Sequence, residues 1–296
     1  MPVVIRPLTP VFAGEVSGVD CTRPLTSVEV AAIEAGMDQY AVLVFRDQDL
    51  TDEEQVAFTR HFGELESYAT PGHIRKNADA RLPTRGIADF SNLDKDGSIM
   101  SAEDRVWFFK LADQLWHSDS SFRPVPAKYS LLSGRLLPSW GANTEFADMR
   151  AAYDGLDART KAEIEPLVCL HSLKYSREAI GFTELTEDEI AAFRPIRQRL
   201  VRTHPITGRK SLFLASHAGA IEGWTVPRSR MFLRDLTEHA TQREFVYSHE
   251  WRLHDLVMWD NRQTMHRARR FDDRNEVRDV RRTTLAGDVI TIEQLP

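Results

Sequence analysis

Tyr129-Ser130-Leu131-Leu132-Ser133-Gly134-Arg135-Leu136-Leu137, followed by Thr144-Glu145-Phe146-Ala147-Asp148-Met149, opens a series of short strand-like runs. The series continues at residues 167–172, 200–204, 211–215, 245–247, 256–260 and 281–290. Helical patterns interrupt it near residues 157–165, 186–192 and 229–242. Many short β-runs with few strand–helix–strand alternations favour an antiparallel double-sheet barrel over a doubly wound parallel fold.

Upstream, residues 27–40 and 51–61 carry helical patterns, each opened by a Ser or Thr cap and acidic residues in the first turn. Between them Ala41-Val42-Leu43-Val44-Phe45 reads as a buried strand. Residues 68–106 contain Pro71-Gly72, Arg75-Lys76-Asn77, Pro83 and Asp94-Lys95-Asp96-Gly97, with no sustained apolar period. So long a polar connection inside a compact domain predicts a lid. No internal repeat, Gly/Ser linker or low-complexity tract divides the chain, which predicts one domain over residues 1–296.

The 296 residues, 42% hydrophobic and 28% charged, suit a globular enzyme with a sizeable core. A net charge of -6 argues against nucleic acid, whose phosphates call for a basic face. The two cysteines, Cys21 and Cys169, have no partner spacing for zinc or a redox pair, so a reduced, cytoplasmic protein is expected. Neither an export signal at the amino terminus nor an apolar run of membrane-spanning length is present in the sequence, so no membrane partner is expected.

The chemistry gathers at Trp116-His117-Ser118-Asp119 and about 150 residues later at Trp259-Asp260-Asn261 and His266. On an extended segment positions i and i+2 point to one side, so His117 and Asp119 can reach one ion. A bare His-x-Asp triplet arises about once by chance in a chain with ten histidines, so a third ligand is required. His266, just past the apolar run 256–260, is the best candidate, although a histidine there is more often structural. Two histidines and one carboxylate with open positions form the ligand set of non-haem Fe(II) oxygenases. Arg278 and Arg282, four apart in a β-run, would face one pocket, and a guanidinium clamps a carboxylate in two-pronged fashion. Two carboxylates are therefore expected beside the metal. Arg281 should face the other way and be structural. His204 and His217 flank the run 211–215 and could approach the substrate side. Nucleotide, nicotinamide, serine-hydrolase and zinc-protease signatures (GxGxxG, the Walker loop, GxSxG, HExxH, CxxC) do not occur.

Taken together, Val42 to Arg46, Gln114 to Phe122, Asp148-Met149-Arg150-Ala151-Ala152-Tyr153-Asp154, Ala240 to Tyr247 and Asp255 to His266 resemble the TauD/TfdA family of Fe(II)- and 2-oxoglutarate-dependent dioxygenases. Within that family the resemblance is to dioxygenases of aryloxyacetates. It implies a mainly β fold with α, a double-stranded β-helix (a jelly-roll, cupin-like barrel) with flanking helices. It implies iron on His117, Asp119 and His266. It also implies 2-oxoglutarate held by Arg278 and Thr144 beside Trp259, and a substrate acid on Arg282. O2 would be the co-substrate, with ascorbate assisting.

Such an enzyme would hydroxylate the ether-linked carbon of an aryloxyacetate such as 2,4-dichlorophenoxyacetate, yielding a phenol, glyoxylate, succinate and CO2. The alternatives are the same chemistry on a sulfonate or other small carboxylate, as in taurine dioxygenase, or a non-catalytic sensor binding metal and 2-oxoglutarate. Relatives of this kind are commonly homo-oligomeric. Asp113, four before His117, departs from the neutral amide of these relatives and would stand near an anionic substrate. In the lid, His73, Arg75 and Lys76 would contact the substrate ring.

Overall fold

The computed structural model describes residues 2–10, 12–66 and 81–294. Fifteen strands occur among them. They are β1 (Val4–Pro7), β2 (Gly14–Ser17), β3 (Val42–Phe45), β4 (Ala88–Asp89), β5 (Tyr129–Leu136), β6 (Thr144–Asp148), β7 (Val168–His171) and β8 (Ile196–Arg199). Next come β9 (Val201–Thr203), β10 (Lys210–Leu212), β11 (Ala218–Ile221), β12 (Val246–His249), β13 (Leu256–Asp260), β14 (Thr264–Ala268) and β15 (Asp279–Thr284). The main sheet runs β1-β2-β3-β13-β5-β15-β4, and a second sheet runs β12-β6-β14. Two smaller sheets, β11-β7-β8 and β10-β9, complete a mixed α/β fold. Every pairing is antiparallel except β2 with β3.

Side-chain alternation along these strands sorts the core into layers. Leu43, Phe45, Leu131, Leu256 and Met258 leave one face of the main sheet and pack with Ile33, Met37 and Phe58 of the helices Ser27–Tyr40 and Asp52–Arg60. Val42, Val44, Leu132, Val257, Trp259 and Val280 leave the other face and meet Phe146 of the second sheet. The far side of that second sheet, through Ala147 and Met265, packs against Leu233 and Leu236 of the helix Val226–Ala240. Cys21 is buried in the first of these layers and Cys169 in the last.

The second helix begins at its expected cap, Thr51, and the first is capped by Thr26, one residue before the expected Ser27. Thr26 with Glu29, and Thr51 with Glu54, form reciprocal capping boxes, each cap contributing about 1 kcal/mol. Ala41 ends the first helix in the left-handed region, φ 58°, which turns the chain directly into β3.

Several expectations need correction. The run 281–290 is a strand only to Thr284, and the run 211–215 only to Leu212. Strand β14, which carries His266, was not expected at all, because Thr264-Met265-His266-Arg267-Ala268 lacks an apolar alternation. Residues 67–80 of the expected lid, with His73, Arg75 and Lys76, lie outside the described residues. Part of the remainder joins the main sheet: β4 pairs with β15, and Arg81 bridges Asp89 and Asp279 at 3.0 Å each.

Candidate active site

His117 and His266 face each other in an isolated antiparallel bridge, and each backbone N–H donates to the other's carbonyl, at 2.9 and 2.8 Å. Directly opposed residues project to the same side, so the two rings stand 4.2 Å apart between centroids. Asp119, two residues on, reaches the same point: Oδ1 is 4.0 Å from His117 Nε2, and Oδ2 is 3.9 Å from His266 Nε2. One donor atom from each of these three buried residues lies within 4.8 Å of the other two. Two imidazoles and a carboxylate at this spacing fit a divalent metal with open positions.

Each ligand is held from behind. His117 Nδ1 sits 2.7 Å from the Leu115 carbonyl, which can only accept, so Nδ1 carries the proton and Nε2 is left to a metal. Ser130 donates to Asp119 Oδ2 at 2.7 Å. Asn261 Oδ1 accepts from the Asp119 backbone N–H and from Trp259 Nε1, while its amide donates to Ser130. Burial would raise the Asp119 carboxyl, but the Arg282 guanidinium, with Ser130 donating to it, outweighs burial and holds it at about 2. Burial, with the His117 ring beside it, keeps His266 well below the usual histidine range and hence neutral.

An open cleft of about 350 Å³ leads to this triad. Its walls gather His117, His266, Thr144, Trp259, Arg278, Arg282 and Asp113, together with Phe90, Leu132 and Ala268. The strand register explains the meeting. Thr144 pairs with Ala268 two positions from His266, and Leu132 pairs with Arg282 across β5 and β15. A register irregularity between Asp279 and Val280 separates the two arginines, yet both line the cleft. Arg278 is buried, its Nε has no partner among the described residues, and burial lowers it to about 10 with Asp113 opposing. A buried guanidinium so placed calls for an anion. Arg282 lies 4.1 Å over the Phe90 ring and donates to Asp119 Oδ1.

The remaining candidates separate. Arg281 points away to Asp52 and Asp279, as alternation predicts. His217 is buried edge-on to the His117 ring, 5.9 Å away, with Nδ1 3.0 Å from Ser121 Oγ, and is not a cleft-lining residue. His204 lies 3.2 Å from Asp260, within a buried cluster with Arg262 and Gln263. Sequence reasoning missed Ser130, Phe90 and Leu132 and gave Asn261 no role. Only the inward register of β5 could have pointed to Ser130 and Leu132.

Residues 5–284 match the model of the family described as taurine catabolism dioxygenase TauD, TfdA family. The chain is 45% identical over 291 residues, 98% of this chain and 100% of the relative, to an alpha-ketoglutarate-dependent 2,4-dichlorophenoxyacetate dioxygenase of Cupriavidus pinatubonensis. It is 37% identical over 293 residues, 96% of this chain and 95% of the relative, to an (S)-phenoxypropionate/alpha-ketoglutarate-dioxygenase of Sphingobium herbicidovorans. Among solved structures, AAD-2 in complex with Mn(II) and N-oxalylglycine superposes with a TM-score of 0.95 at 58% identity, covering 98% of this chain and 100% of that one. With its fold, its His-Asp-His cluster and these full-length matches, the chain belongs to the TauD/TfdA family of dioxygenases.

Proposed function

We propose that this protein is an Fe(II)- and 2-oxoglutarate-dependent dioxygenase that hydroxylates the ether-linked carbon of an aryloxyacetate such as 2,4-dichlorophenoxyacetate. The products are a phenol, glyoxylate, succinate and CO2. The reading rests above all on one observation: a buried His-Asp-His cluster opens onto the same cleft as a buried arginine whose Nε is unpaired among the described residues. Similarity to dioxygenases of phenoxyacetate and phenoxypropionate supports the substrate class. The two packed sheets support reading the scaffold as a double-stranded β-helix.

When bound, the iron supplies an O2-derived oxidant able to remove hydrogen from an unactivated carbon. His117, Asp119 and His266 would hold it on one side and leave the cleft side open. Arg278 would pair with the distal carboxylate of 2-oxoglutarate, assisted by the Thr144 hydroxyl, with Trp259 forming the wall. Arg282 would receive the substrate carboxylate and so hold the adjacent ether carbon towards the metal, converting binding energy into orientation. Phe90, beneath Arg282, gives the aryl ring an apolar surface. The two buried, free cysteines support a reduced cytoplasmic setting.

The test is O2 uptake by the Fe(II)-loaded protein with 2-oxoglutarate and ascorbate, with and without 2,4-dichlorophenoxyacetate, while phenol and succinate are assayed. Equal amounts of phenol and succinate are expected. Succinate without phenol would reject the substrate and turn attention to taurine and alkyl sulfates. Neither product would reject the dioxygenase reading and favour the sensor.

A further inference from the structure

His249 stands opposite Thr144 in the ladder between β12 and β6. On an extended chain the residue two positions on faces the same side. Trp251 accordingly turns its indole back across the ladder, and Nε1 lies 3.0 Å from Thr144 Oγ1. The ring packs edge-on against His249, 4.7 Å between centroids, and against Gly134, where a Cβ would stand 3.3 Å from Trp251 Cε3. His249 Nε2 lies 3.1 Å from Asp255 Oδ2, which Arg46 holds at 2.5 Å.

The direction of this hydrogen bond is fixed by chemistry. An indole nitrogen has one proton and no acceptor, so Trp251 donates and Thr144 Oγ1 accepts. A threonine hydroxyl has a single proton to give. With an oxygen lone pair committed to Trp251, that proton is left for an acceptor on the cleft side, where Thr144 and Arg278 are both lining residues. We propose that Trp251 is a positioning residue for the dicarboxylate cofactor: its indole N–H fixes the Thr144 hydroxyl as a donor to the distal carboxylate. This rests on the reading of Thr144 as a 2-oxoglutarate contact. An acceptor-rich ligand is thereby favoured over one that must donate at the same point.

Anaerobic calorimetric titration of the Mn(II)-loaded protein with 2-oxoglutarate tests this without turnover. Trp251→Phe keeps a ring and loses the N–H, and should raise the dissociation constant roughly fivefold with Mn(II) affinity unchanged. Thr144→Val should raise it roughly tenfold. Adding Trp251→Phe to Thr144→Val should then have no further effect, whereas Thr144→Ser should preserve the dependence on Trp251. If Trp251→Phe weakens binding equally in both backgrounds, the indole acts without the hydroxyl and the proposal is overturned. Wild-type affinity in Trp251→Phe overturns it too. Wild-type affinity in Thr144→Val removes Thr144 from the cofactor site, so the two failures are distinguishable. If the smaller ring impairs folding, β-benzothienylalanine at position 251 preserves the bicyclic shape without the N–H, and the same outcomes apply.

Discussion

Arg282 Nη1 lies 2.5 Å from Asp119 Oδ1, so the arginine proposed to receive the substrate's acid also grips the carboxylate of the metal cluster. One guanidinium thus joins the two halves of the reaction, fixing Asp119 and, in the proposed function, receiving the substrate's acid. Arg282→Ala should raise KM for the aryloxyacetate about 10- to 100-fold. The dissociation constant for 2-oxoglutarate should move less than about threefold, since Arg278 is untouched. Steady-state kinetics beside cofactor titration checks the split, and an equal loss on both sides would contradict the assignment.

Arg278→Ala should show the opposite pattern, with 2-oxoglutarate binding weakened about 10- to 100-fold. Arg278→Lys should recover only part of this, because an ammonium lacks the planar fork. Titration of both variants decides it, and full recovery by lysine would argue against a two-pronged contact.

His117→Ala, Asp119→Ala and His266→Ala should each abolish tight Mn(II) binding, followed by electron paramagnetic resonance, and the melting-temperature rise that metal gives the parent protein. Retention of parental affinity in any of them would remove that residue from the metal site.

Ser130→Ala and Asn261→Ala should leave the three ligands in place yet weaken metal binding about 10- to 100-fold, the usual consequence of removing a group that orients a ligand. Ser130 holds Asp119 Oδ2, and Asn261 holds both Ser130 and the Asp119 backbone. Parental metal affinity in both variants would show that Asp119 is oriented by Arg282 alone.

Asp260 is a stability site. Burial raises its carboxyl, but Arg262 and His204 outweigh that and hold it below the usual carboxylate range. A carboxyl lowered on folding stabilises fully above its unfolded value, about 3.9, and loses that contribution as pH falls through the lower folded value. Asp260→Asn should cost about 3 kcal/mol at pH 7, since it leaves the buried Arg262 with Asp288 as its remaining carboxylate. In the variant the fall in stability below about pH 4 should be shallower, which denaturant melts across pH would reveal.

The sequence was most legible where local chemistry decides structure. Thr51 announces the second helix, the first was expected one residue late at Ser27, and Leu256 to Asp260 announces a buried strand. His117 and Asp119 are readable because their i, i+2 spacing is local. His266 was readable only as the best candidate past the apolar run 256–260, and the resemblance reinforced it, since its own strand is polar and its partner His117 lies 149 positions away. Register between distant strands was not readable, and it is register that sets Ser130 behind Asp119 and Trp251 against Thr144. His217 shows the converse: its neighbours in sequence left the substrate side open, but packing puts it behind His117.

The two cysteines give this enzyme a pair of clocks. Cys21 and Cys169 sit in different layers, and burial pushes both thiols up, Cys169 to about 12. Only a thiolate reacts quickly with an alkylating agent, so each sulfur stays silent until its own layer opens. The labelling rates at positions 21 and 169 therefore time the breathing of the helix-covered face and of the opposite layer separately, without a single engineered probe.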